Sequence, residues 1–517
     1  MALPRQPARA GWPALLALAA GAATLGWSWA HGRLLLYGDA TAHLAIARRM
    51  VDSATPGLGQ WGTVWLPLPH LLMAPLAASM ALWRSGLAGA VPALAAFVLA
   101  TWLLHRVVMR HWGATAAAWA AAAFCLNPSL LYLAAVPMTE TIYLAAFLGL
   151  VDAVDRGRPW QAGAWALAAT LCRYDGWFAL PFALAALAAA APGARAAFAR
   201  AWRFCLLAGL GPALWLLYNW WYLDDAFSFA SGPYSARQIY LRALRLGGAR
   251  YPGDHALATA ALYFLKTVVL TCGIPLALLA LLGLVFTRWK LESRKLNLAP
   301  ALLLLPLPWY LWAMWSGNVP IYVPQYWPHG YYNLRYGVQM LPAVALLSGV
   351  AVAAMARAAA RVLLPHLRPG LLIGLALLAA AVYLGMLRSP GPAAYAEAAH
   401  NAPPRLAMEH QLAAALAPRR PGERVLMYYG TYPGALADDR IPVHEVVQES
   451  NFLLWQDALF APHRHVQWVV VESGTPLSKL VNRRDLRQYF TLTARLPRHP
   501  ADAPHQPEIE VYRRDVH

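Results

Sequence analysis

Acidic residues are scarce in the apolar part of this chain, and their positions suggest chemistry. Only ten of the 24 Asp and Glu residues precede Pro390. A carboxylate beside hydrocarbon is energetically unfavourable and usually serves a function. The helical spans predicted below place seven of the ten acids on one face of a membrane, the outer face: Asp39, Asp52, Glu140, Asp175, Asp224, Asp225 and Asp254. The other three, Asp152, Asp155 and Glu292, fall in basic cytoplasmic loops as expected solvated partners of arginine.

Asp39 opens the stretch "DATAHLAIARRM", whose pattern predicts an amphipathic helix. One interpretation makes Asp39 the N-cap of that helix, a position that favours Asp. The other makes it a general base or a metal ligand together with His43, which lies one turn later on the same face. The residues favour neither interpretation, and one carboxylate could do both.

Two further outer junctions carry charged residues. Glu140 lies in "VPMTETIYL", where it could stabilise the first turn of a helix capped by Thr139 or act as a second functional acid. Arg173 and Asp175 lie in "CRYDGW", where they could form an ion pair that joins a helix hairpin or could contact a substrate.

Arg335 begins a predicted span in "LRYGVQMLP". Its side chain could snorkel to the membrane surface, but its planar fork also suits phosphate. The preceding segment "SGNVPIYVPQYWPHGYYN" is rich in Tyr, Trp and Pro, a composition typical of an interfacial belt and equally of a cleft on which sugars stack.

Composition places these residues in a polytopic membrane protein. The 517-residue chain is 59% hydrophobic and 13% charged, where a soluble protein would carry about a quarter charged residues. Its net charge of +18 comes from basic clusters between apolar segments, and no nucleic-acid-binding module spacing occurs, so nucleic acid is not an expected partner. The four cysteines lack metal-ligand spacing and are expected to be buried small side chains.

Apolar segments separated by basic clusters predict about eleven transmembrane helices with the clusters in the cytoplasm. The predicted spans are 11–31, 88–108, 115–133, 138–155, 159–174, 176–191, 203–222, 258–287, 298–316, 336–356 and 370–388. The segment 63–83 is long enough to cross, but its three prolines break a straight helix, so we interpret it as interfacial or re-entrant. Residues 32–87 then form one large outer loop with interfacial helices.

The character of the chain changes near residue 390. The stretch "RSPGPAAYAEAAHNAPP" is interpreted as a linker, and two runs beyond it, "RVLMYYG" and "HVQWVVVES", are strand-like. We therefore predict a transmembrane domain over residues 1–390 and a small outer α/β domain over residues 391–517.

The order of these motifs resembles the GT-C class of membrane glycosyltransferases, which use polyprenyl-phosphate sugars. Within that class it is similar to the family 39, aminoarabinose-transferase and protein-mannosyltransferase group. The matching stretches follow one another through residues 11–390: "DATAHLAIARRM", "WLPLPH", "RVVMRHWG", "VPMTETIYL", "CRYDGW" and "LRYGVQMLP". Some members have two adjacent acids in the first loop, whereas Ala40 follows Asp39 here. This departure favours the broader class over a protein mannosyltransferase.

The resemblance implies roles for individual residues. Asp39 would be the catalytic base or the acid that organises the acceptor, and Glu140 the second active-site acid. Arg335 and Arg173 would contact the donor phosphate. The substrate-binding residues would be His43, Asp175 and Tyr336. No cofactor is firmly implied, although Asp39, His43 and Glu140 could together hold a divalent metal such as Mg or Mn.

The leading hypothesis is therefore an inverting transferase that moves a sugar from a polyprenyl phosphate to a lipid, glycan or protein acceptor on the outer face of the membrane. The composition suggests a bacterial inner membrane with the active site facing the periplasm. A ligase or polymerase of lipid-linked glycans is a second enzymatic hypothesis. A lipid-linked-sugar flippase would instead place polar residues at mid-bilayer in broken helices. A membrane anchor for the C-terminal domain would leave the outer acids unexplained.

Overall fold

The computed structural model describes residues 11–62, 64–245, 247–291, 298–362, 368–497 and 508–515. Most of these residues are helical. The helices of the first half of the chain are α1 Trp12–Ala30, α2 Gly38–Val51, α3 Leu68–Ala77, α4 Met80–Ser85, α5 Leu87–Trp112, α6 Ala114–Cys125, α7 Pro128–Ala134, α8 Glu140–Asp155, α9 Pro159–Thr170, α10 Tyr174–Ala189, α11 Ala194–Ala208, α12 Leu210–Leu223, α13 Ser228–Ser231 and α14 Ala236–Arg245.

The remaining helices are α15 Leu257–Cys272, α16 Ile274–Leu291, α17 Pro306–Trp315, α18 Leu341–Val362, α19 Arg368–Met386, α20 Ala393–Leu416, α21 Pro433–Asp438, α22 Leu453–Phe460, α23 Pro462–His465, α24 Pro476–Leu480 and α25 Arg483–Tyr489. Short 3-10 helices cover Leu58–Trp61, Pro300–Leu304, Leu334–Met340, Val443–Glu445 and Glu449–Asn451. The strands are β1 Val425–Met427, β2 Val446–Val447, β3 Trp468–Glu472, β4 Phe490–Leu496 and β5 Ile509–Arg514.

Among the described residues, five helical segments are long and apolar enough to cross a membrane. They are Trp12–Ala30, Leu87–Trp112, Ala194–Leu223, Leu334–Val362 and Pro369–Met386. Two bent pairs raise the number to seven if each pair is one span: α6 with α7 bends by 63°, and α15 with α16 by 109°. Each of the spans predicted over 115–133 and 258–287 therefore contains two helices that meet at a bend.

Several other predicted spans are shorter than expected. Helices α8, α9, α10 and α17 lie in the spans 138–155, 159–174, 176–191 and 298–316, and they contain 16, 12, 16 and 10 residues. A straight span needs about 20 residues. The count of eleven spans and their orientation therefore stay predictions.

The interpretation of residues 388–404 as a linker is wrong. Helix α20 begins at Ala393 and continues through Pro403 and Pro404 to Leu416. Proline suggested a break in the sequence, but alanine has the highest helix propensity of all residues, and here it dominates. The segment 63–83, in contrast, contains no single long helix: the described part forms the short helices α3 and α4.

The five strands form one mixed sheet in the order β2-β1-β3-β5-β4. Strands β1, β2 and β3 are parallel, and β5 is antiparallel to both β3 and β4. Strands β1 and β3 lie in the two predicted strand-like runs. All five residues of β3 are buried, as expected for a parallel strand that is covered on both faces.

The chain divides into two compact units. The first unit comprises Met1–His31, Thr63–Leu68 and Val91–Glu397, and the second comprises Gly32–Gly62, Pro69–Ala90 and Ala398–His517. The first unit therefore contains most of the apolar helices, and the second contains α2 together with the sheet.

Glycines allow the helices of the first unit to pack closely. A Cβ atom at Gly283 of α16 would lie 1.9 Å from the carbonyl oxygen of Leu347 in α18. A Cβ atom at Gly349 of α18 would lie 2.5 Å from the carbonyl oxygen of Ala116 in α6. Small residues at such contacts are typical of membrane helix packing.

Candidate active site

Glu140 is the first residue of helix α8 and is 1% exposed. Thr139 occupies the N-cap position, as predicted, and the positive end of the helix dipole favours a carboxylate here. The Nε of Arg335 donates a hydrogen bond to Glu140 Oε1 at 3.2 Å, and the NH1 group of Arg173 lies 3.6 Å from the same oxygen. The other oxygen, Oε2, has no hydrogen-bond partner among the described residues. One carboxylate oxygen of Glu140 is therefore buried without a hydrogen bond from the described residues.

Arg173 precedes helix α10 and connects several polar groups. Its NH2 group donates to Tyr310 Oη at 2.9 Å, and its NH1 group donates to Thr139 Oγ1 at 3.3 Å. Tyr310 in turn donates its hydroxyl proton to Asp175 Oδ2 at 2.9 Å, and Asp175 lies 3.6 Å from Arg173 Nε. The ion pair between Arg173 and Asp175 is therefore part of a larger network and does more than join two helices.

Tyr336 lies between the two arginines. The Cζ atom of Arg173 is 5.0 Å from the centroid of the Tyr336 ring, and that of Arg335 is 5.1 Å from it. Tyr143 contributes a second ring, 5.9 Å from Arg173. Such cation–π contacts stabilise a guanidinium group without using its N–H donors.

Glu397, the fifth residue of α20, binds both the guanidinium group and the backbone of Arg335. Glu397 Oε1 accepts hydrogen bonds from the NH1 group of Arg335 at 3.1 Å and from the backbone N–H of Asn333 at 2.9 Å. Glu397 Oε2 accepts from the backbone N–H of Arg335 at 3.0 Å. Arg335 is 7% exposed and its side chain is turned inward, so the snorkelling interpretation is wrong.

The cluster contains three carboxylates and two guanidinium groups, a formal excess of one negative charge. Each arginine is already paired with carboxylates. A phosphate would therefore bind by taking over donors that now serve Glu140 or Asp175.

Five of the seven predicted site residues come together in this cluster: Glu140, Arg173, Asp175, Arg335 and Tyr336. Sequence reasoning missed Tyr310 and Glu397. Tyr310 is hidden in an apolar, aromatic-rich segment that gives no signal of its own. Glu397 is a single acid in a stretch that was misinterpreted as a linker. The many alanines of that stretch favour a helix, and this signal could have placed Glu397 on one.

Asp39 and His43 belong to the second compact unit. Tyr37 is the N-cap of α2, so the prediction that Asp39 caps this helix is wrong. Asp39 is the second helical residue, where a carboxylate interacts favourably with the helix dipole. His43 Nδ1 and His70 Nε2 share a hydrogen bond of 2.9 Å, and both rings are buried. The roles of Asp39 and His43 in the reaction stay predictions.

No group of three or more His, Cys, Asp or Glu side chains in the described part of the chain is arranged to hold a metal ion. Asp39 and His43 belong to the second unit and Glu140 to the first, so a metal site formed by these three residues stays a prediction.

Three acids and the four cysteines were predicted to have structural roles. Asp152 and Asp155 pair with Arg110 as expected, but both side chains are buried and not solvated. Glu292 lies outside the described residues. Cys205 is exposed, against the prediction that all four cysteines are buried.

No protein-family model matches the chain, and no curated protein matches it. Among solved structures, ArnT from Cupriavidus metallidurans bound to undecaprenyl phosphate is 14% identical, with a TM-score of 0.58 and 98% of each chain covered. The same protein in the apo state is 17% identical, with a TM-score of 0.48 over 95% of this chain and 98% of that one.

A third structure is the oligosaccharyltransferase of Archaeoglobus fulgidus tethered with an acceptor peptide. It is 13% identical, with a TM-score of 0.45 over 88% of this chain and 68% of that one. The likeness to the undecaprenyl-phosphate-bound structure shows that the chain has the GT-C fold of membrane glycosyltransferases. The fold predicted from the motif order is confirmed.

Proposed function

We propose that the protein is a membrane glycosyltransferase that moves a sugar from a polyprenyl-phosphate donor to a lipid, glycan or protein acceptor. The observation that carries the proposal is the buried contact of Glu140 with Arg335 and Arg173 in a chain with the GT-C fold. The similar structure that binds undecaprenyl phosphate supports a donor of this kind. We place the reaction on the periplasmic face of a bacterial inner membrane, in a domain of residues 1–390 followed by a domain of residues 391–517.

The arginines bind the donor phosphate. Arg335 presents its planar fork to the phosphate, which takes over the Nε hydrogen bond that Glu140 accepts in the free protein. Arg173 adds a second positive charge, since its NH1 group lies 3.6 Å from the same oxygen of Glu140. Phosphate binding therefore releases Glu140 to interact with the sugar or with the acceptor.

The transfer is a single displacement with inversion. A hydroxyl group of the acceptor attacks the anomeric carbon of the sugar, and the bond between that carbon and the phosphate oxygen breaks. The hydroxyl proton passes to the carboxylate of Asp39, which acts as general base. The polyprenyl phosphate leaves with its negative charge stabilised by Arg335 and Arg173. Glu140, Asp175 and His43 orient the substrates.

The test is transfer of radiolabelled sugar by the purified full-length protein from undecaprenyl-phosphate and decaprenyl-phosphate donors. Wild type is compared with Asp39→Asn and Glu140→Gln, and the anomeric configuration of the product is determined. Parallel reactions with EDTA test the need for a divalent metal. We expect wild-type transfer with inversion and a loss of about a hundredfold or more in each variant.

Equal activity of wild type and Asp39→Asn would overturn the role of Asp39 as base. Retention of the anomeric configuration would overturn the single displacement. Transfer from an intact lipid-linked oligosaccharide, with none from a single-sugar donor, would instead identify the ligase of the second hypothesis.

A further inference from the structure

The parallel strands of the second unit end in a place where ligands usually bind. Strand β1 lies between β2 and β3, so successive connections leave it toward opposite sides of the sheet. Such a switch point at the carboxyl ends of parallel strands commonly forms a binding crevice. Here the residues that follow β2 contact a segment of the same chain, residues 53–60.

Gln60 is central to this contact. Gln448 Nε2 donates to Gln60 Oε1 at 3.1 Å, and Gln60 Nε2 donates to the carbonyl oxygen of Ser450 at 2.9 Å. Gln60 is 1% exposed and Gln448 is fully buried. Buried amides that satisfy one another fix both segments, because separating them would leave several polar atoms without partners.

Asn451 adds two hydroxyl contacts on the same side. Its Nδ2 atom donates to Thr55 Oγ1 at 2.8 Å and to Ser53 Oγ at 3.2 Å. Its Oδ1 atom accepts from the backbone N–H of Gln448, so the side chain is held from within its own turn. The hydroxyl groups of Ser53 and Thr55 are therefore bound by a side chain that is already fixed.

Asp52, directly after α2, forms the next contact. Its carboxylate accepts backbone hydrogen bonds from Val443 at 3.1 Å and His444 at 3.3 Å, and it also contacts the His444 ring. Arg48 pairs with the same carboxylate from within α2 at 2.9 Å. The C-terminal end of α2 is thereby attached to the turn before β2.

The other end of α2 is attached by α20. The NH2 group of Arg405 donates to the carbonyl oxygens of Leu35 at 2.6 Å and Leu36 at 3.3 Å. Glu409 pairs with the NH1 group of Arg405 at 2.6 Å and orients it. Leu35 and Leu36 lie just before α2, so residues of the C-terminal part of the chain hold α2 on both sides of Asp39.

We infer that the C-terminal α/β segment, residues 425–514, with the adjoining part of α20 is a positioning element for α2 and for Asp39. A helix of 14 residues is marginal on its own, so its orientation depends on such contacts. Ser53, Thr55, Asn451 and Asp52 are positioning residues that act through α2. The catalytic consequence rests on the function proposed above, whereas the attachment of α2 does not.

The experiment uses the full-length double variant Ser53→Ala/Thr55→Val. It removes the two hydroxyl groups that Asn451 binds and changes no residue of the sheet. Hydrogen exchange is measured for the amides of residues 39–52 and of β3. We expect exchange in 39–52 to rise about tenfold, because each lost hydrogen bond weakens the attachment, while β3 is unchanged. In the transfer assay, kcat should fall about tenfold with KM for the donor unchanged.

Two control variants distinguish the loss of the contacts that hold α2 from a general loss of stability. The variant Ser53→Thr/Thr55→Ser keeps both hydroxyls and should restore wild-type exchange and kcat. Thr493→Val removes a hydroxyl that donates to the Val511 carbonyl oxygen within the sheet, and it should change neither quantity.

Unchanged exchange in residues 39–52 of the double variant would overturn the attachment. Faster exchange with unchanged kcat would overturn the positioning role. If wild type transfers no sugar, the proposed function fails, and the exchange measurement still decides whether the C-terminal segment holds α2.

Discussion

The guanidinium group of Arg335 donates a hydrogen bond to Glu140 across 195 residues of sequence, and both side chains are buried. The same guanidinium group donates to Glu397 through its NH1 group. One arginine therefore joins the start of α8 to the start of α20. Because buried charges are stable only when paired, each of the three residues depends on the others.

Glu140→Gln tests the carboxylate within this pair. The amide oxygen of Gln still accepts from Arg335, so the fold should be retained, but the charge and the free carboxylate oxygen are lost. We expect sugar transfer to fall about a hundredfold or more. The measurement is the initial rate with saturating donor, and Asp254→Asn, an acid paired with Arg250 outside the cluster, should retain its rate. Wild-type activity in Glu140→Gln would remove Glu140 from the site.

Arg335→Lys tests whether the planar fork matters or only the charge. A lysine ammonium group cannot donate to Glu140 and Glu397 in the same geometry and then present a fork to phosphate. We expect the Kd for undecaprenyl phosphate to rise about tenfold or more, measured by displacement of a labelled lipid phosphate. Arg495→Lys, an exposed residue of β4, is the matched control. Equal affinities in both variants would contradict the assignment of Arg335 to the donor phosphate.

Glu397→Gln tests the positioning of Arg335. The Gln side chain keeps its oxygen acceptor but has an N–H donor where Glu397 Oε2 now accepts from the Arg335 backbone. We expect weaker binding of undecaprenyl phosphate, by about fivefold to tenfold, because Arg335 becomes mobile. The variant Glu508→Gln, in an exposed acid, should bind normally. If Glu397→Gln binds the lipid as wild type does, Arg335 is held sufficiently by Glu140 and Tyr336.

Tyr310→Phe removes the hydroxyl that accepts from Arg173 and donates to Asp175. Two buried charged groups each lose a partner, so we expect a lower free energy of unfolding, by about 1–3 kcal/mol. The measurement is thermal unfolding in detergent, with Tyr512→Phe in the sheet as control. An unchanged Tm in Tyr310→Phe would mean that Arg173 and Asp175 pair directly once the hydroxyl is gone.

The sequence predicted the class of the protein well because the relevant signals are local. Apolar length and the order of short motifs do not depend on distant residues, and five residues of the cluster could be named from the junctions in which they lie. The partners of these residues could not be predicted. Glu140 has no feature that points to Arg335, and their pairing arises only when the helices pack.

The errors have physical causes as well. Asp39 follows Tyr37 and Gly38, and helix α2 begins at Gly38, two residues earlier than an N-cap role of Asp39 would require. The two prolines in α20 suggested a linker, yet a long alanine-rich helix accommodates them. Asp52 looked like one more outer acid, but it binds the turn before β2 because two backbone N–H groups point toward it.

Glu472, the last residue of β3, makes the stability of the protein depend on pH. The pKa of this carboxyl group is raised from 4.5 to about 7: burial is the largest cause, a hydrogen bond with Thr431 lowers the pKa, and the negative charge of Glu449 raises it. Between pH 4.5 and 7 the folded state therefore binds a proton that the unfolded state has released. The contribution of Glu472 to stability therefore falls as pH rises through this range, by up to about 3 kcal/mol.

Glu472→Gln should abolish this contribution, because the neutral amide resembles the protonated acid and has no charge to desolvate. The Tm of the variant should exceed that of wild type at pH 8, and the two values should converge at pH 5, measured by thermal unfolding of the full-length protein. Glu508→Gln, an exposed acid near the start of β5, should follow the wild-type curve at every pH. Parallel curves for wild type and Glu472→Gln would mean that Glu472 is ionised in the folded protein throughout this range, with its charge stabilised by neighbouring groups.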